Sequence, residues 1–448
     1  MYSESVMKAF SKEGIEAGDV ISVSRDGAQR IGRLMPKIEN ADPDCVVIKV
    51  ENGYNIGIAF EKGTRIGLVE KGSIGSGKMI DRYKRIRVGG AVSILGCGGT
   101  IASKIEYKTG AVFPAFLPEE LVASFPRLGG MGKIASRQLF SLLSEDITAT
   151  HWEMVAKEIE QDVKEGAEGI VIMHGTDVMG YTAAALSFML QSTPVPVVLT
   201  GAQKSSDRGS SDNEMNLICS VHAAKSEIAH VGVCMHANSS DDYCNLHLGT
   251  RVRKMHTSAR PAFQSINAKP LARVDFASGK VEPIAAQYAK RDAKRKLELK
   301  PKMNDNVALV HTYPGMKPKF IEKLSDYDGI VIAGTGMGHL PANVFGDKLA
   351  KPVLPALKEL IASGIVVAMA PQTLYGRVDM NVYSTGRLLL EAGVIGNYCD
   401  WLPETAYVKL MWALGQEKKK EKVEALMLKN IAGEISERNL AEFEPSPY

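Results

Sequence analysis

The sequence predicts an α/β chain in which two doubly wound domains follow a small all-β N-terminal domain. Three observations lead there. Short strand-like apolar runs recur between residues 20 and 58, separated by turn dipeptides. After residue 87, apolar runs alternate with helical stretches, the pattern of parallel strands covered by helices. Between residues 283 and 305 the alternation stops and then restarts, which divides it in two. The length agrees, because 448 residues exceed one ordinary core.

Composition narrows the class. With 45% hydrophobic and 23% charged residues the chain reads as soluble and globular. A formal net charge of +3 is small for this size and makes no case for nucleic-acid binding by charge alone. The opening MYSESVMKAFSKEG lacks the apolar core of a signal peptide, and no later run approaches a membrane span. A cytoplasmic location without membrane contact is therefore expected. The six cysteines are scattered rather than spaced as a disulfide framework, so reduced thiols are expected.

In chain order, strands are expected at 20–23, 29–34, 45–50 and 55–58, forming a barrel-like module with its linker over residues 1–85. Residues 72–78, GSIGSGK, resemble a phosphate-binding loop. Met79 stands where such a loop needs Ser or Thr, and no convincing helix follows, so a flexible linker fits better. The first α/β domain, 86–282, carries predicted strands at 91–95, 169–173, 195–200 and 231–235, and helices at 152–164, 181–191 and 213–225. Residues 283–305 form a basic linker whose run at 288–296 is either solvated or a tRNA-facing patch. The second α/β domain, 306–448, has predicted strands at 307–311, 329–333 and 364–370. It ends in a helix at 405–415 and a surface helix around Val423, Leu426 and Met427.

Three segments carry chemistry. In LGCGGTIAS, residues 95–103, a strand runs into paired glycines and Thr100, where a reactive hydroxyl can meet a ligand or merely cap a turn. In MHGTD, residues 173–177, Thr176 and Asp177 again follow an apolar run, and ligands of doubly wound sheets bind beyond such strand ends. A helix cap is the plainer use of both residues. In GTRVRKMHT, residues 249–257, Lys254 is either solvated or a group that activates a neighbouring hydroxyl. Cys234, His236, Cys244 and His247 have spacings compatible with zinc, but they adjoin an ordinary core strand and no metal is expected.

These motifs, in this order and at these separations, resemble those of bacterial-type L-asparaginases over residue 86 to the C-terminus. The added N-terminal module, NGYNIGI at 52–58 and KSSDRGSSD at 204–212 resemble the D-subunit family of archaeal glutamyl-tRNA(Gln) amidotransferases. Cys97 departs from the asparaginase pattern, which opens with threonine at that position. The resemblance implies that Thr100 is the primary nucleophile with Tyr107 as its lid partner. Thr176, Asp177 and Lys254 become a second catalytic group. Ser144 holds the substrate α-carboxylate, Glu145 its ammonium, and the backbone at Gly99 an oxyanion. The implied activity is release of ammonia from glutamine. A partner subunit would use ATP and Mg to convert Glu-tRNA(Gln) into Gln-tRNA(Gln), with no cofactor bound by this chain. A homodimer within a heterotetramer is the implied assembly. A free-standing asparaginase and a non-catalytic RNA-binding scaffold are the alternatives.

Overall fold

A computed structural model describes residues 2–35, 37, 42–50, 55–71, 87–99, 103–105, 112–114, 125–204 and 211–439. Thr100, Tyr107, the glycine-rich stretch at 72–78 and residues 205–210 lie outside the described residues. So does the first half of NGYNIGI, residues 52–54.

The N-terminal module opens with a helix that the strand pattern does not foretell, α1 (Glu4–Glu13). Ser3 caps it by accepting from the Val6 amide, and Val6 and Phe10, one turn apart, bury its inner face. Five antiparallel strands follow: β1 (Val20–Arg25), β2 (Ala28–Leu34), β3 (Cys45–Lys49), β4 (Asn55–Ala59) and β5 (Arg65–Glu70), in the order β4-β3-β2-β1-β5. Alternation puts Ile21, Val23, Leu34, Val46 and Ile48 into a separate small core with α1.

The central sheet has eight strands. Five are parallel: β6 (Val92–Gly98), β7 (Ile134–Leu142), β8 (Gly169–Met173), β9 (Val197–Thr200) and β10 (Val231–His236), ordered β7-β6-β8-β9-β10. Every residue of β6 and β8 is buried because helices cover both faces. Leu95, Cys97, Ile170 and Ile172 face α2 (Ala149–Lys164) and α3 (Met179–Met189). Val92, Ile94, Val171 and Met173 face α4 (Asn213–Ala224). At about 1.5–3 kcal/mol for each large apolar side chain buried, this core outweighs any surface ion pair, worth about 0–1 kcal/mol.

The five parallel strands agree with the alternation of apolar runs and helices, and beyond β10 the sheet gains strands that the alternation does not announce. The next strands, β11 (Tyr243–Leu248), β14 (Ala272–Asp275) and β15 (Val281–Pro283), extend the sheet antiparallel. Between them β12 (Val252–Lys254) and β13 (Phe263–Ser265) form a separate ribbon. The connection at 237–242 is too short for the crossover helix that parallel pairing needs.

The basic run at 288–296 is not a free patch throughout. Arg291 donates to the carbonyls of Ala224 and Ser226, the last turn of α4 and the residues beyond it, and Arg295 donates to that of Thr193. Both guanidiniums serve backbone carbonyls that a helix end and a turn leave unpaired.

The second α/β unit has three parallel strands, β16 (Val307–His311), β17 (Gly329–Gly334) and β18 (Val366–Pro371). They pack with α5 (Leu354–Ala362), α6 (Ser384–Ala392), α7 (Pro403–Gln416) and α8 (Lys420–Leu428). Val331, Ala368, Trp401, Leu410 and Trp412 belong to the same apolar cluster as Leu95 and Ile172, so the two units share one core. Among the described residues no helix is long and apolar enough to cross a membrane.

Candidate active site

The strand order β7-β6-β8-β9-β10 is 2-1-3-4-5 in chain order, so the winding reverses between β6 and β8 and a crevice opens beyond their carboxyl ends. The glycine pair sits at that point. Gly98 and Gly99 have φ of 103° and 83°, a region that disfavours any side chain. A Cβ at Gly99 would stand 2.8 Å from the Gly175 amide nitrogen and 3.0 Å from the His174 carbonyl oxygen. The loop leading to Thr100 and the loop carrying Thr176 therefore touch backbone to backbone.

Lys254 joins the second loop from β12. Its ammonium donates to Thr176 Oγ1 at 2.9 Å and to Asp177 Oδ1 at 2.7 Å. Its side chain is 14% exposed, that of Asp177 67%, and Thr176 is buried. The solvated reading of Lys254 is thus corrected. So is the capping role for Thr176 and Asp177, because α3 begins after Val178 with no side-chain cap. Lysine, hydroxyl and carboxylate in contact give a path by which the hydroxyl proton can be passed on.

Ser144 is buried in the short turn Ser144–Asp146 after β7, and its hydroxyl donates to Glu145 Oε2 at 3.4 Å. It backs onto the second loop, since a Cβ at Gly175 would lie 2.7 Å from Ser144 Cβ. Glu145 is exposed. Gly99, Ser144, Thr176, Asp177 and Lys254 therefore gather around one strand-end crevice.

Sequence reasoning missed what holds these loops. Trp152 Nε1 donates to Thr182 Oγ1 at 2.9 Å, Thr182 Oγ1 lies 2.9 Å from His174 Nε2, and His174 Nδ1 lies 2.6 Å from the Gly175 carbonyl. A tryptophan only donates and a carbonyl only accepts, so Thr182 donates to Nε2 and the proton of neutral His174 sits on Nδ1. Burial holds the imidazole neutral, its pKa pushed down to about 4. Gly201, after β9, closes the other side: a Cβ there would come 2.6 Å from the His174 carbonyl and 2.9 Å from Thr176 Cγ2. His174 stands inside MHGTD, but Trp152 and Thr182 carry no local signal.

Other candidates have different surroundings. Cys97 is fully buried, and burial pushes its thiol far up, which leaves an inert side chain. Cys234 and Cys244 lie in the core, the His236 imidazole meets Asn216 and Asp241, and that of His247 meets Ser265. Among the described residues no group of three or more His, Cys, Asp or Glu is arranged to hold a metal ion.

Comparisons with known proteins agree with this architecture. Residues 91–287 match the family model described as Asparaginase, N-terminal, and residues 306–427 match the Glutaminase/Asparaginase C-terminal domain. Residues 15–69 match the GatD N-terminal domain. The chain is similar to the D-subunit of the glutamyl-tRNA(Gln) amidotransferase of Pyrococcus abyssi, 47% identical over 95% of this chain and 97% of that one. The Pyrococcus furiosus protein of the same name is 47% identical over 96% and 97%. The thermostable L-asparaginase of Thermococcus kodakarensis superposes with a TM-score of 0.68 at 32% identity, covering 78% of this chain and 100% of that one. An asparaginase-like catalytic body, the added N-terminal module and near-complete coverage by these relatives together place the chain in the D-subunit family of glutamyl-tRNA(Gln) amidotransferases.

Proposed function

We propose that the chain is the glutamine-hydrolysing subunit of a tRNA-dependent amidotransferase, releasing ammonia that a partner subunit uses, with ATP and Mg, to convert misacylated Glu-tRNA(Gln) into Gln-tRNA(Gln). The observation that carries this reading is the Lys254 ammonium bridging Thr176 Oγ1 and Asp177 Oδ1 beside the glycine pair that precedes Thr100. Thr100 Oγ attacks the side-chain amide carbon of glutamine, an ester bond forms, the carbon–nitrogen bond breaks, and the hydroxyl proton leaves on ammonia. Water then hydrolyses the ester to glutamate. Tyr107, its lid partner in the family pattern, or Lys254 carries the proton to the departing ammonia. Thr176, Asp177 and Lys254 act as one proton-passing unit on the second hydroxyl or the attacking water. Ser144 and Glu145 hold the substrate's α-carboxylate and α-ammonium, and the Gly99 backbone faces the oxyanion. One such donor is typically worth about 10²–10³ in rate.

In this reading the chain binds no cofactor. It works in the cytoplasm as a homodimer within a heterotetramer. Its parts are the module and linker 1–85, the catalytic domain 86–282, the linker 283–305 and the second domain 306–448. A free-standing asparaginase is not favoured, because the Thermococcus kodakarensis asparaginase covers 78% of the chain and leaves the N-terminal module without a purpose, whereas the amidotransferase relatives cover it. A non-catalytic RNA scaffold has no use for the lysine–threonine–aspartate contact.

The test is ammonia release from glutamine by the full chain assembled with its partner. Thr100→Ala is expected to fold normally and to lose glutaminase activity. A fall in kcat/KM of less than about tenfold, under ~1.4 kcal/mol of transition-state stabilisation, would remove Thr100 as nucleophile.

A further inference from the structure

Lys254 ends a three-residue strand, β12, whose ladder partner is the equally short β13. A two-stranded ribbon of that size does not hold a catalytic side chain in register by itself. What fixes it is a row of contacts from the second α/β unit. Arg251 forms an ion pair with Asp400, Nη1 to Oδ2 3.1 Å, with both side chains at most 2% exposed. Arg251 also donates to the Gly433 carbonyl at 2.7 Å and to Ser436 Oγ at 2.8 Å. Thr405 Oγ1 donates to the Thr250 carbonyl at 3.0 Å. Nearest the lysine, Arg253 Nη1 reaches Glu404 Oε2 at 3.0 Å, and the Glu404 side chain is 9% exposed.

Alternate side chains of a strand leave on opposite sides. Arg253 therefore grips the first turn of α7 while its neighbour Lys254 reaches Thr176 and Asp177. Burial favours the protonated, uncharged form of Glu404, and the Arg253 charge opposes this. A buried charge stripped of its partner is costly, so the strand is held where both are satisfied.

We propose that Glu404 is a positioning residue: by holding Arg253 across the interface between the two α/β units, it sets the reach of the Lys254 ammonium to Thr176 and Asp177. This rests on the reading of Lys254 as part of the amide-cleaving site. Misplacing a catalytic group by about 1 Å can cost 10²-fold in rate.

The experiment measures glutamine hydrolysis by the full chain assembled with its partner, together with each variant's thermal midpoint. Glu404→Leu and Arg253→Met are each expected to lower kcat about tenfold with KM changed less than about twofold. The double variant should be no worse than the poorer single, as two halves of one contact behave. Glu404→Gln, which keeps an oxygen for Arg253, should recover most of kcat. Should Glu404→Leu fail to fold, Arg253→Lys decides, with a severalfold fall in kcat expected. Wild-type kcat per folded molecule in the clamp variants, beside an inactive Lys254→Met, overturns the proposal and leaves the site reading intact. An active Lys254→Met overturns the site reading and this proposal with it.

Discussion

Because one ammonium bridges Thr176 and Asp177, Lys254→Met and Asp177→Asn are each expected to cut kcat at least about a hundredfold, with a double variant hardly worse than either. Steady-state rates of the three variants check this; losses that multiply would separate the residues. His174 gives a second expectation. Unfolded, it takes up a proton near pH 6.5; folded, only near pH 4, because burial disfavours the charged ring. Its contribution to stability is complete above pH 6.5 and is lost as pH falls toward 4, about 3 kcal/mol over the window. His247, also pushed down to about 4, acts in the same direction. The urea midpoint of wild type should fall more between pH 7 and 5 than that of His174→Asn, which keeps a donor and an acceptor but does not titrate. Equal falls would contradict the buried neutral ring. At this scale the motifs are legible, since LGCGGT, HGTD and Lys254 stand in the sequence as written. Their mutual contacts are not, because Lys254 and Thr176 lie 78 residues apart and only the strand order joins them.

At the scale of elements, what reads well is whatever its own residues determine. The runs 169–173 and 307–311 match β8 and β16 residue for residue, as continuous apolar runs at glycine or polar boundaries do. What fails depends on partners. Strands β11, β14 and β15 carry no local mark of antiparallel pairing, and the arginines in 288–296 resemble surface charge until the carbonyls of Ala224, Ser226 and Thr193 are in view. Helix α1 escapes a reading tuned to strands, although Ser3, Val6 and Phe10 announce it. The close meeting of β-strand ends yields a prediction. Gly201→Ala adds a methyl 2.6 Å from the His174 carbonyl and 2.9 Å from Thr176, where backbone cannot yield. A loss of about 1–3 kcal/mol in stability and at least tenfold in kcat/KM is expected, with far-UV circular dichroism unchanged. Wild-type values of both would show that the wall beside Thr176 yields to a methyl group.

For the whole molecule, the Lys254–Thr176–Asp177 contact proposed to serve amide cleavage lies in the first α/β unit, the second unit contacts the lysine strand, and the N-terminal module has its own core. Ammonia made without an acceptor is wasted, so a module outside the chemistry is well suited to docking the partner or coupling hydrolysis to loaded tRNA. Such coupling is typically worth ~1–3 kcal/mol. The measurement that tests the account most directly reconstitutes the chain with its partner, ATP, Mg and Glu-tRNA(Gln), and follows amide-labelled nitrogen from glutamine into Gln-tRNA(Gln). The wild-type chain should transfer the label. Thr100→Ala should not, yet should still support product formation from added ammonium, because only the ammonia source is lost. Undiminished label transfer by Thr100→Ala, or no transfer from glutamine by the wild-type assembly, would contradict the account.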